Sequence, residues 1–449
     1  MKTLNEIEKE IDISRFIYKG ENIWPIFRNA IGWEIVLETN VSNNKSLSNI
    51  KSNKFLLIKL FIKNIISLLL SLFNKYDVIC FTTSDDYKYL DGNQVNRLIE
   101  TFLNKYKDKR ILEFQSGFKM NKSKSKRTYL SSSVLLILIN LASRFVNLYN
   151  LEEIEKELNK NAIKIDTKKI LKKYLASKIV YKFIFRIYRP SMIVTTCYSF
   201  MPVIKCANDL KIKNIEFQHG NIINHFAYNV EQNINLSFYP QNLAVFGTKF
   251  LKYLVNKHYG KNIFPVGNMF IDYYSKKTNE SILKLKKDYL FIISISLQWT
   301  VIEKTIEYLR RQAKENKNIC FILIPRTKDE LNDYSFDEVN IKIFNEYNCY
   351  EIAANSDYHM TCYSTCAIEA ASLGVENIFL NISGLSEKYL GEFIAEKEFN
   401  HLVNFDENLN NILNKNRMTK SSIIVQNEDN IKDEYNKNIQ ILYKYLEQK

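Results

Sequence analysis

Short apolar runs closed by Gly, Pro, Asn, Asp or Ser alternate along most of the chain with longer stretches of helical period, which predicts an α/β protein built on parallel sheets. Tyr76-Asp-Val-Ile-Cys-Phe81 reads as the first strand of the main sheet and Arg110-Ile-Leu-Glu-Phe114 as the next, followed by a lysine-rich loop over 119–127. Helical period then runs over 134–189. Met192-Ile-Val-Thr-Thr-Cys197, a helix over 200–210 and Asn214-Ile-Glu-Phe217 follow as strand, helix and strand, a βαβ unit. A strand over 243–247, a helix over 248–258 and a strand starting at Asn262 and closing on Gly267-Asn268 complete this half. The polar, lysine-rich run 275–287 marks the best domain boundary. Beyond it the alternation resumes: strand 289–296, helix 300–314, strands 319–324 and 341–344, helix 350–354, strand 358–362, helix 365–373 and strand 377–380.

Ahead of the first sheet, residues 55–73 are strongly apolar, with Lys59, Lys63, Ser67, Ser71 and Lys75 recurring every four residues. This predicts an amphipathic helix with one narrow polar stripe and a wide apolar face. Its uncharged run, 64–74, is too short to span a bilayer. Two uses remain open: attachment to an anionic membrane surface, with the lysines at the headgroups, or packing on its own domain. Residues 134–151 repeat the theme more weakly, with Asn140, Arg144 and Asn147 on one side. The expected organisation is an N-terminal extension over 1–75, Rossmann-like domains over 76–280 and 288–420, and a C-terminal helix over 421–449.

With 449 residues, 46% hydrophobic, and only 11 Gly and 6 Pro, the chain is expected to fold as two or three domains with full cores. Its formal charge of +14 calls for an anionic partner: nucleic acid, an acidic membrane surface or a phosphorylated small molecule. The lysines are spread over the whole chain and no zinc-finger spacing or RNA-binding aromatic motif occurs, which argues against nucleic acid. The seven cysteines form no Cys-x-x-Cys pair and mostly sit in apolar runs, as reduced thiols of a cytoplasmic protein do. His359, Cys362 and Cys366 approach a metal-ligand spacing but lack a fourth ligand, so no metal is expected. The opening residues lack the apolar core of a signal peptide, which fits a cytoplasmic location.

Chemistry gathers at three strand ends. In open parallel sheets ligands bind outside the carboxyl ends of the strands. Gln218-His219-Gly220 stands at one such end, with a His that titrates near neutrality and a Gly that permits a tight turn. The loop 82–93 carries Asp85, Asp86 and Asp91 at another, either a source of a general base or a solvated turn. Ser364-Thr365 opens a helix with Glu369 one turn inside, suited to phosphate at the free N–H groups and to ribose hydroxyls at the carboxylate. Arg326 and Lys328 bring two cations to the same sheet edge.

The succession Gln218-His219-Gly220, Phe246-Gly247, Val266-Gly267-Asn268 with Asp272, Pro325-Arg326, and Ser364-Thr365 with Glu369 and Gly374 resembles bacterial GT-B glycosyltransferases of surface-polysaccharide assembly. Capsule-synthesis proteins and their sialyltransferase-like or glycerophosphotransferase-like relatives share the layout. Trp24-Pro25 with Arg28, and Asp91-Gly92, are similar to further members of such loci. The likeness covers most of the chain through short motifs. Relatives usually carry His-Pro where this chain has Ile324-Pro325, so the role of that His does not carry over.

The resemblance implies two Rossmann-type domains facing across a cleft, working without metal or other cofactor. A sugar would pass from a nucleotide-sugar donor held by the second domain to a glycan or lipid-linked acceptor held by the first. Gln218, Gly220, Arg326, Lys328, Ser364, Thr365 and Glu369 would contact the donor. If the reaction inverts, His219, or Asp85 or Asp86, would deprotonate the acceptor hydroxyl; if it retains, no base is needed. The alternatives are a polyol-phosphate transferase, a sugar-nucleotide epimerase and a non-catalytic membrane-associated scaffold.

Overall fold

Seven short strands form the first sheet: β1 Val78–Thr82, β2 Ile111–Gln115, β3 Thr128–Ser131, β4 Met192–Thr195, β5 Lys213–Phe217, β6 Asn242–Val245 and β7 Asn262–Pro265. Every residue of β1, β2, β4 and β6 is buried, so these largely apolar runs lack the in-out alternation of a half-exposed strand. The sheet order is β7-β6-β5-β4-β1-β2-β3, parallel from β6 to β3. The order reverses between β1 and β4, where a doubly wound sheet opens a crevice at its carboxyl edge. The computed structural model describes residues 3–40, 54–90, 93–116, 120–123, 126–223, 225–298, 300–325, 331, 334–344, 347–413, 417–427 and 435–447.

The chain divides into two compact units. The first comprises Met1–Tyr87, Asp91–Ala244 and Tyr253–Phe264; the second comprises Lys88–Leu90, Val245–Lys252 and Pro265–Lys449. The lysine-rich run 275–287 lies inside the second unit, and Glu280–Leu285 within it is helical.

The N-terminal residues belong to the first unit. Helix α1 is Leu4–Glu10, opened by a capping box between Thr3 and Glu6, and α2 is Trp24–Asn40. Trp24, Arg28 and Gly32 recur every four residues and share one face of α2. Arg28 is only 3% exposed. Its Nε donates to Glu8 Oε1 at 2.9 Å, and its Nη1 and Nη2 donate to the carbonyls of Phe226 and Asn229 at 2.5 and 2.6 Å. Trp24 Nε1 donates to the same Glu8 oxygen at 2.8 Å. A Cβ on Gly32 would run into the Phe226 ring.

Helices α3 Lys54–Ser71, α4 Ser132–Arg144 and α5 Thr167–Tyr188 lie in one layer against the sheet, and Leu68, Leu135, Ile139, Ile184 and Phe185 join the core around Ile79 and Phe81. The single polar stripe expected on α3 is not there. A four-residue step advances a helix by about 400°, so each successive polar position drifts by about 40° around the axis. Ser71 accordingly turns inward and is 4% exposed, sharing a 2.6 Å hydrogen bond with Tyr188 Oη, while Lys63 faces out. Lys75 lies beyond the helix end. Ile62, Ile66, Leu69 and Leu70 are exposed. The side chain of Lys59 lies outside the described residues.

Glu216, in the middle of β5, is buried between two tyrosines: Tyr259 Oη donates to both its oxygens at 2.8 Å and Tyr228 Oη donates to Oε1 at 3.3 Å. Burial pushes its carboxyl from 4.5 up to about 8, against the lowering effect of the two tyrosines. A raised folded-state value stabilises the fold fully below about 4.5 and is lost as pH rises through about 8. Wild type should therefore lose stability relative to Glu216→Gln by about 1 kcal/mol per pH unit from 5 to 8. Urea midpoints of the two proteins at both pH values check this; a pH-independent difference would show that Glu216 stays ionised.

The second unit holds six strands, β8 Phe291–Ser296, β9 Ile319–Ile324, β10 Ile341–Ile343, β11 Tyr358–Thr361, β12 Glu376–Asn381 and β13 Asn400–Asn404. All five pairings are parallel, in the order β10-β9-β8-β11-β12-β13. This is the same doubly wound order as in the first six strands of the first sheet, with the reversal between β8 and β11. Its helices include α6 Lys249–Leu254, whose residues through Lys252 fall in this unit, α7 Met269–Tyr274, α8 Cys349–Asn355, α9 Cys366–Ser372 and α10 Leu385–Ala395. The two doubly wound α/β units anticipated from the alternation of runs are both present. Among the described residues no helix is long and apolar enough to cross a membrane.

Candidate active site

Three strand ends of the first sheet converge on Asp86. After β1 the chain turns through Thr83 into a single 3-10 turn, Ser84–Asp86, which points the fully buried Asp86 carboxylate back under the sheet edge. Thr83 Oγ1 donates to Asp86 Oδ2 at 2.8 Å, and Thr196, just past β4, donates its Oγ1 to the same oxygen at 3.0 Å. The other oxygen, Oδ1, has His219 Nε2 at 3.2 Å and Arg97 Nε at 4.0 Å. Arg97 Nη2 also donates to the His219 carbonyl at 3.0 Å, fixing the backbone that carries the imidazole. Burial alone would raise the Asp86 carboxyl, but the charge and hydrogen bond of His219, with Arg97 and Thr83, hold it below the usual carboxylate range.

His219 follows β5 and its side chain is 36% exposed, open to a ligand where Asp86 is closed. Gln218 is buried and donates from Nε2 to the Gly220 carbonyl at 2.8 Å, so it braces the turn. Nε2 lies 3.2 Å from Asp86 Oδ1 and 3.4 Å from Thr83 Oγ1, so a proton on that nitrogen meets two oxygens and leaves the lone pair at Nδ1. The arrangement is a base oriented by a buried anion, able to take a proton at Nδ1 and hold the resulting charge. Asp86 and His219, singled out at separate strand ends, are thus brought together. The side chain of Asp85 lies outside the described residues. Thr83, Thr196 and Arg97 complete the cluster; the Thr195-Thr196 pair closing an apolar run is a visible signal for the second, whereas nothing local marks Arg97.

In the second unit the helix start is α9. Ser364 Oγ accepts from the Cys366 N–H at 3.3 Å, while Thr365 makes no side-chain cap. Glu369 is buried, its Oε1 accepting from Tyr350 Oη at 2.9 Å and from Asn268 Nδ2 at 3.2 Å. Asn268 also caps α7, accepting from the Phe270 N–H at 3.0 Å. Gln298 ties the strands on either side of the order reversal, its Nε2 donating to Thr361 Oγ1 at 2.7 Å and its Oε1 accepting from the Cys362 N–H at 3.0 Å. His359 is buried against Ser294 Oγ at 3.0 Å, and burial lowers its imidazole to about 3, so it stays neutral. Among the described residues no group of three or more His, Cys, Asp or Glu side chains is placed to hold a metal ion. Arg326 and Lys328 lie outside the described residues.

No protein-family profile matches the chain, and no curated protein matches it in sequence. Solved structures do resemble it. One is UDP-GlcNAc 2-epimerase from Methanocaldococcus jannaschii in complex with UDP-GlcNAc and UDP, at 14% identity and a TM-score of 0.47 over 82% of this chain and 99% of that one. Another is S. aureus MnaA with UDP, at 12% identity and a TM-score of 0.48 over 83% and 97%. A third is the wall teichoic acid polymerase TagF, at 10% identity and a TM-score of 0.48 over 87% and 98%. At this degree of likeness, what those proteins act on decides nothing for this chain.

Proposed function

We propose that the protein is a glycosyltransferase that moves a sugar from a nucleotide-sugar donor to a hydroxyl of a growing cell-surface glycan, capsule or lipopolysaccharide. The observation that carries this reading is the His219–Asp86 pair at the carboxyl edge of the first sheet, 3.2 Å apart. The acceptor hydroxyl gives its proton to His219 Nδ1 as its oxygen bonds to the anomeric carbon, and the bond from that carbon to the donor phosphate breaks to release the nucleotide. Asp86 orients the ring and stabilises the imidazolium that forms. Such a base suits displacement with inversion. Ser364, Thr365 and Glu369 of the second unit, with Arg326 and Lys328, are the residues we assign to the donor, the two cations to offset the charge that develops on the departing phosphates. Gln218 and Gly220 shape the turn beside the base.

The test has two stages. A panel of UDP-, CDP- and GDP-linked sugars is screened for thermal stabilisation, since a ligand at 100 times its Kd adds about 2.7 kcal/mol. The stabilising donor is then incubated with and without a lipid-linked saccharide extract. Nucleotide release that depends on the extract is the expected result. An epimerised nucleotide sugar formed without it would replace transfer by epimerisation, a CDP-polyol donor would indicate polyol-phosphate transfer, and stabilisation by none would leave a scaffold.

A further inference from the structure

The helical layer on the first unit's sheet is apolar on both of its sides. Its inner side fills the core, which is all that a helix of a globular layer ordinarily buries. On the outer side, Ile66, Leu70, Leu141 and Phe183 are exposed, and Phe73 and Phe145 are 89% and 84% exposed. These come from α3 or just beyond it, from α4 or just beyond it, and from α5; α4 packs against both of the others, so the exposed positions belong to neighbouring helices. Single exposed apolar residues are ordinary, but aromatic tips and leucines on three adjoining helices mark a surface that is covered in use.

The charge of the same helices says what covers it. α3, α4 and α5 together hold eleven Lys or Arg and no Asp or Glu. Glu21 and Asp209 pair with Lys178 and Lys182 at one edge. Lys63, Arg144, Lys173 and Arg186 make no ion pair among the described residues. A second copy docking through a two-fold axis would set this basic face against itself. A bilayer with anionic headgroups complements it, because each basic side chain near the surface is drawn to the negative surface potential.

We propose that the outer face of α3, α4 and α5 is a bilayer-docking surface for anionic membranes. Phe73, Phe145 and Phe183 seat in the interfacial layer, and the surrounding Lys and Arg side chains meet lipid phosphates. The surface spans three helices, so it differs from a single amphipathic segment that could detach from its domain. It stands independently of the reaction proposed above.

The test is flotation of the full-length protein with phosphatidylglycerol–phosphatidylcholine vesicles and with phosphatidylcholine alone, at low and high salt. Wild type should float with the anionic vesicles and bind the neutral ones, or the anionic ones at high salt, about tenfold more weakly. The variant Leu70→Ser/Phe73→Ser/Phe145→Ser/Phe183→Ser changes only outward side chains and should lose about tenfold or more of the binding at an unchanged melting temperature. A second variant, Lys63→Glu/Arg144→Glu/Arg186→Glu, should lose the preference for anionic lipid. Wild type that fails to float, or a serine variant that floats as wild type does, overturns the proposal. So does a wild-type dimer in sedimentation velocity that the serine variant makes monomeric without any flotation, since a second copy would then be the occupant.

Discussion

His219→Gln should slow transfer by roughly 100- to 10,000-fold at saturating donor and acceptor, with no change in melting temperature. Glutamine approximates the reach of the ring and can still donate toward Asp86, so the fold around the carboxylate keeps a partner. What is lost is a ring nitrogen that can take a proton. Because the imidazole is partly exposed and contributes no core packing, the effect belongs to turnover and not to stability. Asp86→Asn separates orientation from basicity. Asparagine removes the buried anion that stabilises the imidazolium, so the rate should fall and the acid limb of the pH–rate profile should shift toward lower pH. A loss below about threefold in His219→Gln would reject the base role, since general acid–base catalysis contributes at least ~100-fold where it operates.

The largest expected effect on stability lies far from that chemistry. Arg28→Met should cost about 3–5 kcal/mol, because removing one member of a buried ion pair leaves the other charged and unpaired. Glu8 and Arg28 are both 3% exposed at the side chain. Arg28 also satisfies the carbonyls of Phe226 and Asn229, so its loss orphans acceptors on a loop distant in sequence. The melting temperature should fall by roughly 6–20 °C for a unit of this size. The double variant Glu8→Leu/Arg28→Met should recover a large part of the loss, as apolar replacement of a whole buried pair does. If Arg28→Met melts like wild type, the pair is not what fastens α1 and α2 to the loop. The Trp24-Pro25 and Arg28 motif, noted for its likeness to polysaccharide-locus proteins, thus has a structural office in this chain.

Interior strands were legible because a parallel strand buried on both sides is apolar without interruption. The strands that escaped reading include β3, Thr128-Tyr-Leu-Ser131, and β13, Asn400-His-Leu-Val-Asn404, and each is an edge strand of its sheet. Each has only two strongly apolar residues in succession between polar ones, Tyr129-Leu130 and Leu402-Val403, too short a run to announce a strand. The polar positions of α3 misled for a different reason: spacing by four looks like one face on paper and winds around the helix in space. At the site, Asp86 and His219 were visible because each follows an apolar run directly. Their meeting was not, since it depends on β5 lying two strands from β1 in the sheet order. Arg97 reaches both residues from a ribbon whose strands, Tyr87–Leu90 and Asn93–Asn96, carry little apolar signal.

The interleaved assignment of the chain to its two units bears on how the protein can be taken apart. A fragment cut at Pro265 would look like a complete second unit by its six strands, yet it would lack 245–252. From that segment Lys249 lies over the Phe393 ring at 4.3 Å and reaches Glu396 at 3.5 Å, while Lys252 holds the same carboxylate at 2.6 Å. The missing piece is therefore the clasp on α10, and a recombinant half starting at 265 would leave Phe393 and Glu396 without it. Starting at 245 retains the clasp but carries β7, an edge strand whose sheet has been left behind, and unpaired strands of that kind invite aggregation. An isolated second unit is better sought by joining 245–252 to 265 through a short glycine-serine bridge than by any single cut, and nicking by protease should release no stable half on its own.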